Sequence, residues 1–253
     1  MKKVYIVGAG PGDPKLITVK GLETIQRADV VIYAGSLVNP DLLKYCKKGT
    51  EIHNSAHMTL DEVLEVTISG VKARKNVVRL HTGDPSMYGA IQEQIKPLND
   101  IGIEVEVIPG VSSVFAAAAA LNLEYTLPDV SQTLILTRME GRTPVPEKEK
   151  LHLLAQHQTT MAIFLSVGMI QDVVDELLKG GYSIDTPIAV VQKASWPDQK
   201  EVVGTLADIA EKVKTAEINK TALILVGDVL KKEYSLSKLY DPSFTTEYRE
   251  AKK

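Results

Sequence analysis

Short β-branched runs alternating with segments of helical period predict an α/β fold of two α/β domains, the first with a largely parallel sheet, the second with a mixed one. Two further observations support this. A turn cluster rich in glycine and proline follows several of the early buried runs, and two late runs are separated by too few residues for a helical crossover.

The first run, Val4 to Val7, leads into Gly8-Ala-Gly-Pro-Gly-Asp13, and helical period resumes from Thr18 to Ala28. Val30 to Tyr33 is the second run. Thr59-Leu-Asp-Glu62 then reads as a capping box, with Leu60, Val63, Leu64, Thr67 and Val71 on one helical face, and the spacing predicts a helix ending near Lys75. Val77 to His81 and Glu104 to Ile108 complete the first series; Ser112 is a natural N-cap before the alanines at 116–120. The stretch 122–131 has no clear period and contains a proline, so the domain boundary is placed there: residues 1–122, residues 123–233, and a polar tail, 234–253. The second series comprises Gln132 to Thr137, Met161 to Leu165, Ile188 to Gln192, Val202 to Val203 and Ala222 to Val226. Lys193 to Glu201 is enough for an antiparallel loop only, which makes the second sheet mixed.

A length of 253 residues with 44% hydrophobic content supports one large core or two modest ones. Net charge is −3 and no basic run is present, which argues against a nucleic-acid partner. Cys46 is the single cysteine, so no intramolecular disulfide forms, and no Cys/His spacing suggests a metal. The apolar run at the N-terminus stops after four residues, too short for a signal h-region or a membrane span, and the expectation is a soluble cytoplasmic protein.

The loop from Gly8 to Asp13 invites a dinucleotide-binding reading, and with it an NAD-dependent oxidoreductase. Its spacing fails, because Asp13 stands where the third glycine belongs and Pro11 and Pro14 oppose an immediate strand-to-helix turn. An acidic loop suits a neutral or positively charged ligand. Two more turn clusters, 81–89 and Pro109-Gly-Val-Ser-Ser113, follow later runs, and three such loops converge at the carboxyl edge of one sheet, where open α/β sheets bind ligands.

Val4 to Asp13, Leu16 to Leu22, Ala28 to Tyr33, Arg79-Leu-His-Thr-Gly-Asp-Pro85, Pro109 to Ser113 and Thr221 to Gly227, in this order, resemble the tetrapyrrole methyltransferase family. Tyr33-Ala-Gly-Ser-Leu-Val38 and His81 to Ser86 are similar to the branch that methylates carbon 11 of precorrin-4 or its cobalt form. Ala34 stands where the uroporphyrinogen-methylating branch has an acid, which argues against that substrate. The resemblance implies C-methylation of a tetrapyrrole in cobalamin biosynthesis, with S-adenosyl-L-methionine as cofactor and S-adenosyl-L-homocysteine as product, in a cleft between two domains of a homodimer. The cofactor contacts it implies are Pro11, Thr82, Gly83, Asp84, Met87, Ser112 and Ser113, with Leu165, Ala194, Thr221 and Ala222 from the second half. Alternatives within the superfamily are another precorrin, RNA or a protein as acceptor.

The methyl of a sulfonium is already activated, so alignment in a dry site is the main task, and no metal, triad or general base is identified in the sequence. Cationic donors are expected for the acetate and propionate groups of such a substrate. Arg79 is the first candidate, its alternative being a pair with a structural acid. Arg138 and Arg142 flank a loop of the second domain, and His81 sits at a strand end; each has a purely structural alternative. Asp84 either orders its loop, as an Asx-turn residue before Pro85, or meets the cofactor. Tyr88 and Trp196 stack on a ring or are simply part-buried.

Overall fold

The computed structural model describes residues 3–251. The chain divides into two compact units, one running to Ala116 with Lys193–Gln199 added, the other comprising 117–192 and the residues from Lys200 onward.

In the first unit, β1 (Val4–Gly8), α1 (Val19–Arg27), β2 (Val30–Tyr33), β3 (Glu51–Asn54), α2 (Leu60–Lys72), β4 (Val77–His81), α3 (Gln92–Asp100) and β5 (Val105–Ile108) succeed one another, and α4 (Ser113–Ala120) follows. The sheet order is β3-β2-β4-β1-β5, every pair parallel. A parallel sheet needs cover on both faces, and the β-branched runs supply apolar side chains to each. Val7, Val31, Val78, Leu80 and Ile108 pack with Ile25 of α1. Val4, Val30, Ile32 and Val77 pack on the other face with Val63 and Val71 of α2 and Leu98 of α3.

The Thr59–Glu62 capping box forms in both directions. The helix it starts ends at Lys72, short of Lys75, because Arg74 enters the left-handed region and the Lys75 N–H returns to the Gly70 carbonyl. The strand β3 lacks a sequence signal: Glu51 and Ile52 are exposed, and the strand pairs only along the sheet edge.

In the second unit, β6 (Leu134–Arg138), α5 (Leu151–Ala155), β7 (Thr160–Phe164), α6 (Ile170–Lys179), β8 (Pro187–Gln192), β9 (Lys200–Thr205), α7 (Ile209–Thr215) and β10 (Ala222–Val226) form a sheet of order β6-β7-β10-β8-β9. Only β6 and β7 are parallel; β10 runs against both β7 and β8, and β8 against β9. The mixed sheet predicted from the short Lys193 to Glu201 gap is therefore present. Met161, Ile163, Ile188, Val190, Ile224 and Val226 form one core with Leu151, Val173, Leu177 and Val213 of the helices. Beyond Glu233 the described residues are largely exposed, and the Arg249 guanidinium gathers the carbonyls of Leu239, Tyr240, Asp241 and Phe244 into a folded turn.

The central strands of the first sheet end in a backbone contact. A Cβ on Gly8 would lie 2.5 Å from the Gly110 Cα and 2.7 Å from the Gly83 carbonyl oxygen, and one on Gly110 would lie 2.8 Å from the Gly8 Cα. Gly110→Ala should accordingly lower the urea midpoint of unfolding by an amount equivalent to about 1–3 kcal/mol, the usual cost of overpacking. Thr59→Ala, which removes only a helix cap, should cost about 1 kcal/mol. Circular dichroism during urea titration measures both.

Candidate functional site

The loops after β4, β1 and β5 are neighbours because those three strands are adjacent and parallel. They are stitched together by backbone: Gly10 and Gly83 form an antiparallel bridge, with N–H donated to the partner carbonyl at 3.3 and 2.8 Å, and the Ala9 N–H donates to the His81 carbonyl at 2.7 Å. Gly83 takes φ +59°, a conformation that favours glycine, and a Cβ there would lie in ordinary contact, 3.8 Å, with the Ser112 Cα and the Ser113 N of the next loop. Pro11, Gly83 and Ser112 are buried, Thr82, Asp84, Met87 and Ser113 half-buried. The sequence-predicted contacts of the first half are thus brought to one sheet edge.

Asp84 organises this edge. One carboxylate oxygen accepts the Ser86 N–H at 2.9 Å and the Ser86 hydroxyl; the other accepts the Gly110 N–H at 2.9 Å from the next loop. Partial burial pushes its pKa up, but the hydrogen bonds from Ser86 and the Gly110 amide outweigh burial and hold the carboxyl below its ordinary value. Asp13 acts similarly on a smaller scale, accepting the Lys15 N–H at 2.9 Å. Ser112 stands before the first residue of α4, and its Oγ accepts the Val114 N–H at 3.4 Å.

Ala194 is buried within the first unit although it follows β8 in sequence. Its segment supplies contacts that the sequence reading missed. The Trp196 Nε1–H donates to the Pro11 carbonyl at 2.9 Å, and the Ser195 Oγ accepts the Asp13 N–H at 3.0 Å. From another direction, the Asn39 Nδ2–H donates to the Gly12 carbonyl at 2.8 Å. No local sequence signal marks these pairs, because Trp196 and Pro11 lie 185 residues apart.

In the second unit, the antiparallel register carries the carboxyl ends of β7 and β8 to the edge where β10 begins, since Ile163 pairs with Ile224 and Gln192 with Ala222. Leu165 and Thr221 therefore share that edge with Ala222. Both have positive φ, +56° and +53°, and Leu165 is 69% exposed. Left-handed backbone at non-glycine residues costs energy and tends to be kept where a site needs it. Tyr88, Ala90, Lys193 and Ser195 in the first unit's loops show the same conformation.

The expected cationic clamps take other positions. Arg79 is 9% exposed; its Nε–H donates to Gln94 Oε1 and its Nη1–H to the Ile32 carbonyl, both at 3.2 Å. Neither a solvent-facing fork nor a pair with a structural acid is what the structure shows: Arg79 lies in mid-strand on the face that α3 covers, and burial lowers its pKa to about 10. His81, two residues on and therefore on the same face, is 6% exposed, and its Nε2 is buried without a hydrogen-bond partner. Burial, reinforced by the Arg79 charge, lowers its pKa to about 3, so the imidazole is neutral. Arg138 holds its own loop, donating to the carbonyls of Met139, Thr143 and Pro144, which uses the guanidinium that was expected to clamp substrate. Arg142 is exposed in that loop.

Among the described residues, no group of His, Cys, Asp and Glu is placed to hold a metal, and no helix is long and apolar enough to cross a membrane.

The model of the tetrapyrrole (corrin/porphyrin) methylases matches residues 3–210. A cobalt-precorrin-4 C(11)-methyltransferase of Methanocaldococcus jannaschii is 64% identical over 253 residues, covering 100% of this chain and 98% of that protein. The X-ray structure of a cobalt precorrin-4 methyltransferase, a cobalamin biosynthetic enzyme, superposes with a TM-score of 0.88 at 53% identity, covering 90% of this chain and 95% of the other. Uroporphyrin-III C-methyltransferase of Thermus thermophilus, solved in complex with S-adenosyl homocysteine, gives a TM-score of 0.76 at 29% identity, covering 91% and 94%. With a family model spanning most of its length and a relative this similar from end to end, the chain belongs to the tetrapyrrole (corrin/porphyrin) methylases.

Proposed function

We propose that this protein transfers a methyl group from S-adenosyl-L-methionine to carbon 11 of cobalt-precorrin-4 or precorrin-4, in cobalamin biosynthesis. The observation that carries the reading is the junction of the β1, β4 and β5 loops at one sheet edge, with the family's ordered motifs on those loops. The 64% identity to a cobalt-precorrin-4 C(11)-methyltransferase supports the cobalt form of the acceptor. A cytoplasmic homodimer is the form in which we expect it to act.

The residues present fit the cofactor. Gly83 holds its loop at φ +59°, a backbone conformation that a side chain would strain, and the loop carboxylates Asp13 and Asp84 suit a sulfonium cation. When bound, the cofactor supplies an activated methyl group. Pro11, Thr82, Gly83, Asp84, Met87, Ser112, Ser113 and Ala194 would hold it, together with Leu165, Thr221 and Ala222. Asp84 keeps two loops in register, and the buried loop backbone around Pro11 and Gly12 excludes water. Alignment of this kind lowers a displacement barrier by as much as about 7–11 kcal/mol, so no side chain has to act as nucleophile.

For the acceptor, the His81 ring nitrogen is buried without a hydrogen-bond partner, and we assign His81 to the substrate side of the edge, while Arg79, held by Gln94 and Ile32, is left a structural role. Arg142 is assigned as an outer contact for a propionate or acetate group.

Incubation with cobalt-precorrin-4 and cofactor labelled in the methyl group should give one label at carbon 11 by mass spectrometry and NMR. Label at another carbon, or in RNA or protein alone, would overturn the assignment. Asp84→Ala should weaken S-adenosyl-L-homocysteine binding about tenfold in calorimetry, corresponding to the loss of about 1.4 kcal/mol from charge-assisted hydrogen bonds. His81 gives a pH signature. Its folded-state pKa of about 3 lies below its ordinary value of 6.5, so it binds more protons unfolded, and the stability tied to its neutral form is lost as pH falls from 6.5 toward 3. His81→Gln should flatten the acid limb of a melting-temperature profile over that interval.

A further inference from the structure

The connection between β8 and β9 does more than turn the chain. Lys193–Gln199 joins the first unit, and its side chains reach consecutive residues of the β1 loop. Trp196 bonds to Pro11 through the indole N–H, and Ser195 takes the Asp13 N–H. Between them, Gly12 lies against the indole so closely that a Cβ at that position would come within 2.0 Å of the Trp196 Cδ1. The segment is itself fixed in a shape its residues disfavour. Lys193 and Ser195 have φ of +49° and +69°, the Ser195 N–H donates to Gln199 Oε1 at 2.6 Å, and Lys193 pairs with Asp198 while its ammonium lies 5.6 Å from the Trp196 ring centroid.

A seven-residue connection held in a strained shape, with three consecutive backbone positions of a distant loop as its main contacts, is costly if it only closes a hairpin. It is understandable if the shape of that loop matters to a ligand, because a loop fixed before binding loses less freedom when the ligand arrives.

We propose that Lys193–Gln199 is a positioning strap for the cofactor loop and that Trp196 is its principal positioning residue, acting through Pro11 and Gly12. The inference rests on the reading of that loop as a cofactor contact. The strap sets cofactor affinity and leaves tetrapyrrole docking to other residues. Trp196→Phe keeps an aromatic ring on Gly12 and removes only the N–H that Pro11 uses; Ser195→Ala removes the second tie without touching the ring.

Trp196 is the only tryptophan of the chain, so its fluorescence reports on the strap alone. Titration of the full-length protein with S-adenosyl-L-homocysteine should change that emission saturably, with the same Kd as calorimetry gives. Trp196→Phe should weaken binding about three- to tenfold and raise the KM for the methyl donor in step, with the KM for tetrapyrrole and the melting temperature nearly unchanged; Ser195→Ala should act in the same direction. If the wild-type protein binds S-adenosyl-L-homocysteine but its tryptophan emission does not respond, or both variants bind it as tightly as the wild type, the strap has no positioning role. If the wild-type protein does not bind it, the cofactor reading itself is wrong and the strap proposal falls with it. A variant that loses melting temperature and both KM values together would mark the strap as merely structural and overturn the proposal.

Discussion

Everything at the functional edge depends on the abutment of Gly8, Gly83 and Gly110. Three parallel strands ordinarily end about 4.8 Å from their neighbours, with side chains filling the space above the edge. Here the backbones at the strand ends close in on one another, and the absence of a Cβ at Gly8 and at Gly110 lets Gly10 bridge to Gly83 and brings the Gly110 N–H to Asp84. A methyl group at Gly8 or Gly110 would push the loops apart, and the Asp84 carboxylate would no longer span them. The geometry is therefore set by what the sequence omits as much as by the groups it contributes.

The strands and their type were largely legible because both sheets are built from β-branched runs of ordinary length. Val30–Tyr33, Val77–His81 and Ala222–Val226 have the bounds their composition predicts. What escaped was polar: β3 (Glu51–Asn54) lies at an edge and needs no apolar face, and β9 (Lys200–Thr205) extends beyond its two valines because the pairing with β8 continues through charged residues. At the site, Pro11, Gly83, Asp84 and Ser112 stand on adjacent loops because each follows a strand of the same parallel sheet. A parallel sheet converts sequence order into a common edge, and such a site can be read in advance.

The arginines show the opposite case. The run Val77–His81 places Arg79 in mid-strand, but nothing local shows that α3 covers its face, and the acceptors that hold it, Ile32 and Gln94, come from elements that become neighbours only in the folded state. Arg138 turned inward to the carbonyls of its own loop for a similar reason: the connection from β6 to α5, residues 139–150 with two prolines, leaves backbone oxygens in need of donors. Trp196 is the extreme example, tied to Pro11 by chain crossing rather than by pattern. Long-range side-chain-to-backbone bonds leave no periodic trace, and these are the contacts that a reading of runs and spacings cannot supply.

The hydrogen bonds of Asp84 also bear on what the edge rejects. A glycine-rich loop of an α/β protein usually presents free amides to phosphate oxygens. In this protein, the Ser86 and Gly110 amides already donate to a carboxylate carried by the chain itself. A nucleotide offering its diphosphate would meet satisfied donors and a like charge. A sulfonium would meet neither obstacle, because the carboxylate already occupies the amides as an anion carried by the chain itself.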